Sequence, residues 1–472
     1  MMSFTTATDG STIDTAALPR RLVLESLGGG LGMVAAAQVL AGDAPPAPLG
    51  GGGAAAGPHF LPRARRVIHL FMNGGPFQGD LFDPKPALVT YAGQRPDGAN
   101  LRTERKTGGL MPSAASFAPR GESGVPVSDL LPRLAEHVDR ICVLRSMHAD
   151  NPNHGPALFQ MNNGTILPTR PSMGSWMLYG LGSGNANLPG YVVLCPGRPV
   201  RFAELWTNAF LPAAYQGTYV NHSQLDGAGL IPYLAAAGSR QDQRRMLDLL
   251  QRINAAHRDA RGPDAALDGR IASLETAFQM QTSAREAFDL SGETAATRAA
   301  YGEGHYATGC LLARRLVERG VRFVQVYYGN GQPWDTHSKH NEQVGTLCRT
   351  IDQPTAALLA DLHARGLLED TLVVWGGEFG RTPTTENGDG RDHNHHGFTM
   401  WLAGGGVRGG MTWGETDEFG FRAVENKVHV HDLHATILHL LGLDHERLTF
   451  RYAGRDYRLT DVHGRVVREI LA

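Results

Sequence analysis

Six short, nearly continuous apolar runs punctuate this chain. They are Val67 to Met72, Arg140 to Met147, Tyr191 to Cys195, Val321 to Tyr328, Thr371 to Gly377 and Phe398 to Gly405. Runs of this kind, without strict alternation, predict strands buried on both faces. Between them, apolar positions recur at helical spacing. Gly304 to Gly320, Asn341 to Gly366 and His431 to Leu443 read as helices, and the first ends on a glycine suited to a C-cap. A further helix is expected to start near His154. Strand and helix in alternation predict an α/β fold around a parallel sheet with both faces covered. The Ala-, Arg-, Gln- and Leu-rich stretch at about 234–300 reads as a helical insertion within one domain spanning 66–472.

Composition adds three constraints. A formal net charge of -2 over 472 residues gives no global field to draw the chain to nucleic acid. The four cysteines, Cys142, Cys195, Cys310 and Cys348, form no CxxC pair and so give no zinc-ribbon or redox signal. Before the folded body, Arg20 and Arg21 precede a mildly apolar Gly/Ala-rich stretch with small residues at Val39-Leu40-Ala41. That pattern predicts a twin-arginine export signal over 1–41, cleaved after Ala41, and hence a periplasmic or extracellular protein. Residues 42–65 read as a Pro/Gly/Ala-rich linker. No membrane span is expected once the signal is removed.

In an open parallel sheet, ligands bind beyond the carboxyl ends of the strands. Four loops occupy that position, and all are polar. The first, "NGGPFQGDLFDPKP", places Asn73 at the strand end and offers Asp80 and Asp83 as hard ligands, or as turn residues. The second, "RSMHADNPNHGPA", brings His148, Asp150, Asn153 and His154 to a helix N-terminus, which suits either anion binding or plain capping. The third, "WDTHSKH", holds Asp335, His337 and His340 within six residues, a carboxylate with two imidazoles that suits zinc, manganese or iron. The fourth, "GGEFGRTPTTENGDGRDHNHHG", puts Glu378 directly after a strand. Arg381 follows as a possible oxyanion fork, and then come His393, His395 and His396 as ligands or their hydrogen-bonding partners. Its "TTENGDG" tip reads as a surface turn. A fifth stretch, "VHVHDLHATILHLLG", carries His429 and His431, either of which can reach the site, and His439, which reads as structural.

Several strand ends of one sheet thus carry Asp, Glu, His or Arg. Their convergence points to metal-assisted hydrolysis of an anionic ester. If so, the polar atoms of Asp80, Asp335, His340, Glu378 and His393 should meet. A metal-free His–Glu acid/base pair is the simpler alternative.

The blocks "HLFMNGGPFQGDLFDPKP", "RSMHADNPNHGPA", "RPSMGSW", "WDTHSKH", "VVWGGEFGRTP", "GRDHNHHGFTMWLAGGG" and "VHVHDLHATILHLLGLD" resemble an uncharacterised family of exported sulfatase-like proteins in the alkaline phosphatase superfamily. The resemblance spans nearly the whole chain. It implies a three-layer sandwich with a mostly parallel central sheet and a helical insertion. It also implies a sulfate- or phosphate-ester hydrolase dependent on a divalent metal (zinc, manganese or calcium), acting on an anionic ester such as a sulfated polysaccharide. The implied metal ligands are Asp80, Asp335, His337, His340, Glu378 and His393. His154 and Arg381 take the catalytic places, and Asn73, His148 and His396 the substrate-binding ones. Two departures stand out. Asn73 follows the first strand where an acid is expected, and His154 stands where the sulfatase pattern has Cys or Ser. The second departure leaves open attack by water, an intermediate on His154, or a non-catalytic protein that keeps the fold and binds a metal or another ligand.

Overall fold

A computed structural model describes residues 57–201, 203–224, 239–262 and 264–472; the export signal and most of the linker expected from the sequence lie outside them. The strands used below are β1 (Arg66–Phe71), β2 (Ile141–His148), β3 (Tyr191–Leu194), β4 (Thr218–Val220), β5 (Phe323–Tyr327), β6 (Thr371–Gly376) and five further segments. These are β7 (Gly380–Glu386), β8 (Gly390–Asn394), β9 (Phe398–Ala403), β10 (Met411–Trp413) and β11 (Val428–His429), of which β7 and β8 form a separate hairpin. The sheet runs β10-β2-β9-β6-β1-β5-β3-β4, with β11 also pairing β2. The helices used below are α1 (His154–Asn163), α2 (Met173–Leu181), α3 (Arg240–Arg261), α4 (Ala265–Phe288), α5 (His305–Glu318), α6 (His340–Ala364) and α7 (Val430–Leu440).

The apolar runs are continuous because both faces of the sheet are covered. Ile68, Leu70, Val324, Val326, Val373 and Trp375 pack on one face with Leu312, Leu316, Ile351 and Leu358 of α5 and α6. Their sequence neighbours Val67, Phe71, Phe323, Leu372 and Val374 pack on the other with Leu158, Trp176 and Ile437 of α1, α2 and α7. Side chains alternate across a strand, so each run feeds two cores, and the result is a helix–sheet–helix layering. Each fully buried Leu, Ile or Val contributes about 1.5–3 kcal/mol of transfer free energy. α3 and α4 pack on each other within the expected insertion. No helix among the described residues is long and apolar enough to cross a membrane.

The mostly parallel sheet carries one antiparallel strand. β9 runs antiparallel to both β6 and β2, while the pairings β6–β1, β1–β5, β5–β3 and β3–β4 are parallel. The reason is the path of the connection. A parallel return needs a crossover that carries the chain back across a face of the sheet, usually as a helix. Here the chain leaves β6 at its carboxyl end, makes the β7–β8 hairpin there, and re-enters the sheet from the same end.

Candidate metal centre

The loops that follow β1, β2, β5 and β6 meet the β7–β8 hairpin at the carboxyl edge of the sheet. Two glycines make the approach possible. Gly74 has φ +114, and a Cβ on it would lie 2.5 Å from the Asp335 nitrogen. A Cβ on Gly390 would lie inside contact distance of the His337 carbonyl, so only glycine lets the hairpin lie on that loop. The hairpin is fastened there by main-chain bonds from Arg391 to the Thr336 carbonyl (3.1 Å) and from His340 to the Asp389 carbonyl (2.9 Å). The polar loop expected after β6 is therefore a paired ribbon, buried except at its turn over 387–389.

Asp335 lies at the middle. Its Oδ1 is 3.1 Å from His154 Nε2, 2.9 Å from His337 Nε2, 3.1 Å from His393 Nε2 and 2.5 Å from a terminal nitrogen of Arg381. The Nε2 atoms of His337 and His393 are 3.1 Å apart. Three imidazoles thus turn the same ring nitrogen toward one carboxylate oxygen.

The opposite ring nitrogen explains why. His154 Nδ1 donates to Glu378 Oε1 at 2.6 Å, His393 Nδ1 donates to Glu104 Oε2 at 2.6 Å, and His337 Nδ1 is bonded to Glu386. A carboxylate only accepts, so each Nδ1 carries a proton, and Nε2 is the nitrogen left to give a lone pair to a cation at the centre. Carboxylate behind histidine, with the far nitrogen free, is the arrangement that orients metal-ligating imidazoles. Glu378 is held in turn by the Gly74 N–H, 3.0 and 3.2 Å from its two oxygens.

The electrostatics follow the geometry. Burial pulls His154 down, but Asp335 and Glu378 outweigh it and raise its pKa above the ordinary value; Asp335 and Glu386 do the same for His337. Burial would raise Asp335, yet its bonds to His154, His337 and His393 and the charge of Arg381 hold it far below the usual carboxylate range. Without a cation, protons on the imidazoles balance the carboxylates. A divalent cation is the other way to balance them, and the donor set fits one. Two overlapping groups among the described residues, His154–Asp335–His393 and His337–Asp392–His393, have ligand atoms within 4.8 Å of one another. One carboxylate oxygen of the fully buried Asp392 has no hydrogen-bond partner.

A family model described as a protein of unknown function, DUF1501, matches residues 64–471. The chain belongs to the DUF1501 family. No curated protein matches it. Solved structures similar to this DUF1501 chain include the PsFucS1 sulfatase from Pseudoalteromonas sp., 11% identical over 90% of this chain and 72% of that one, with a TM-score of 0.35. Lipoteichoic acid synthase LtaP from Listeria monocytogenes is 9% identical over 84% and 74%, with a TM-score of 0.36. The phosphonate monoester hydrolase of Agrobacterium radiobacter is 10% identical over 81% and 74%, with a TM-score of 0.33.

The centre of this DUF1501 chain gathers some of the residues singled out from its sequence and leaves others apart. Asp335, His337 and His393 meet, together with His154. Glu378 reaches the centre through His154 rather than directly. Arg381 spends its fork on protein groups: Nε donates to the Gly75 carbonyl at 3.1 Å, and the terminal nitrogens bond Gly74, Arg391 and Asp335. It clamps Asp335 instead of waiting free for a substrate. Asp80 and His340 bond each other at 2.7 Å. His340 opens α6, and Thr336 Oγ1, 2.6 Å from its Nδ1, turns Nε2 toward Asp80 and away from Asp335. Asn73 ties two loops together, donating to the Gly329 and Gly331 carbonyls at 3.0 and 2.5 Å. Asp83 pairs with Lys85 at 3.1 Å.

His148, His395, His396, His429 and His431 lie in a separate seam. His148 lies against the His429 ring, His395 against His396, and His431 stacks on His463 with centroids 5.2 Å apart. His429 and His431 border a cleft of about 480 Å³ beside Asp150 and Arg465. None of these rings has a bond to His154, Asp335, His337 or His393 among the contacts of the described residues. Sequence reasoning missed Glu104 and Glu386. Glu386 was hidden in what read as a turn, and Glu104 in a charged loop far from any strand end.

Proposed function

We propose that this chain binds one divalent metal through His154, Asp335, His337 and His393, and that it is an exported hydrolase of sulfate or phosphate esters. The observation that carries the metal is the convergence of three Nε2 atoms on Asp335, each ring backed by its own glutamate. Nitrogen-rich donors favour zinc over calcium, which takes oxygen ligands. A divalent ion in such a set acts as a Lewis acid toward an ester oxygen and lowers the pKa of water. The chain's own residues do the rest. Glu378, Glu386 and Glu104 hold the rings in one tautomer, Arg381 fixes Asp335, and the half-buried edge at Asp335 and His337 is where a ligand meets the centre.

A second reading has its own support. No hydroxyl or thiol takes the place of the sulfatase nucleophile, since His154 stands there and faces Asp335 and Glu378. A metal-binding protein without turnover is consistent with that arrangement. Zinc-loaded chain assayed against aryl sulfates and aryl phosphates separates the two. Turnover that disappears in His337→Ala supports the hydrolase. A fully loaded chain that turns over neither class supports the binding protein.

A further inference from the structure

The three glutamates behind the histidines are not equivalent. The Glu378 and Glu386 side chains are 0% and 3% exposed, and both stand on or beside the sheet and its hairpin. Glu104 comes from a loop and is 30% exposed. The loop lies across the β7–β8 hairpin as a strap. The Arg105 N–H donates to Asp392 Oδ2 at 2.7 Å, its guanidinium pairs with Glu386 at 2.9 Å, and the Arg102 carbonyl faces His396 Nε2 at 3.2 Å. Arg381, Asp392 and Glu378 close the other side of the centre, all fully buried. The partly exposed members, Asp335, His337, Glu104 and Arg105, share one rim.

We propose that Glu104 is a positioning residue for the metal, and that the strap over 101–107 is the gate through which the centre exchanges it. The inference rests on the metal reading of this site and not on hydrolysis. Glu104 accepts from His393 Nδ1 and so leaves Nε2 as the nitrogen that faces the centre. Losing such a partner costs a metal site about 10–100-fold in affinity. Of the three glutamate–histidine bonds, this one belongs to the most exposed and least packed segment, and such segments open first. Opening the strap releases the hold on His393 and uncovers the ring in the same motion, which ties ligand orientation to access.

The test is zinc release from the full-length, zinc-loaded chain into excess chelator, followed by a chromogenic zinc indicator. Glu104→Ala is expected to speed release about 10–100-fold. Glu104→Gln should fall between, because the amide oxygen still accepts from Nδ1 but carries no charge. Arg105→Ala should speed release by loosening the strap while the chain still takes up one zinc. Thermal unfolding of the metal-free variants checks that each folds. Release from Glu104→Ala and Arg105→Ala at the wild-type rate overturns the proposal. A wild-type chain that takes up no zinc overturns the metal reading, and the proposal with it.

Discussion

Two groups of histidines lie along the same edge of the sheet, and they are built differently. In the candidate metal centre, His154, His337 and His393 each give Nδ1 to a glutamate and turn Nε2 toward Asp335. In the seam, one ring nitrogen is spent on the fold, and Nδ1 of His431 and of His434 has no hydrogen-bond partner. His431 Nε2 donates to the Gly164 carbonyl at 2.9 Å and His434 Nε2 to the Met161 carbonyl at 2.8 Å. His429 Nδ1 accepts the His431 N–H at 3.2 Å, as the N-cap of α7. Counting histidines cannot tell the two groups apart. What separates them is where the second nitrogen of each ring points, and that is set by the partner behind it.

The comparison breaks most readily at a ligand. His393→Ala should abolish stoichiometric zinc binding, an effect well beyond the roughly 100-fold that losing an outer partner costs. His431→Gln should leave one zinc per chain. Elemental analysis after gel filtration reads both, and equal metal content in the two variants would erase the distinction. The next effect belongs to the glutamates. Glu378→Gln should weaken zinc by about 10–100-fold in a chelator competition, and unchanged affinity would remove Glu378 from the orienting role.

The two groups should also answer pH in opposite senses. In the metal-free chain, His154 and His337 have pKa values raised above the ordinary one. Their stabilisation is present below the unfolded pKa of about 6.5 and is lost as pH rises through the folded value. Burial and the neighbouring charge of His431 push His434 down to about 3; burial and His396 push His395 down to about 4. Their contribution is present above about 6.5 and is lost as pH falls toward those values. Urea unfolding of the chelator-treated chain from pH 4 to 9 should therefore show losses at both ends. Glu378→Gln should flatten the alkaline limb only, and His434→Asn the acid limb only. A variant that flattens the opposite limb contradicts the assignment. The smallest expected effect is on stability alone. His429→Ala removes an N-cap and should cost about 0.5–2 kcal/mol, with no change in zinc affinity.

Much of this was legible in the sequence, for reasons that can be named. The strands were visible because both faces of the sheet are buried, which makes each run apolar throughout. The strand-end rule then puts Asp335, His154 and His393 in one neighbourhood. It failed where a side chain's direction depends on a partner elsewhere. His340 lies close in sequence to Asp335, yet Thr336 turns it to Asp80. Glu378 sits at a strand end, yet the Gly74 N–H draws its carboxylate onto His154. Glu104 and Glu386 come from a loop and a hairpin whose docking is tertiary, so no local pattern announces them.

The central claim is that three imidazoles and Asp335 hold one metal ion. X-ray absorption fine structure of the zinc-loaded chain tests it most directly. The account predicts a first shell of nitrogen and oxygen at about 2.0–2.1 Å, with the outer-shell scattering of three imidazoles. That signal should drop to two imidazoles in whichever of His154→Ala, His337→Ala or His393→Ala still retains zinc. A spectrum with no imidazole scattering, or one that is the same in all three variants, would contradict it.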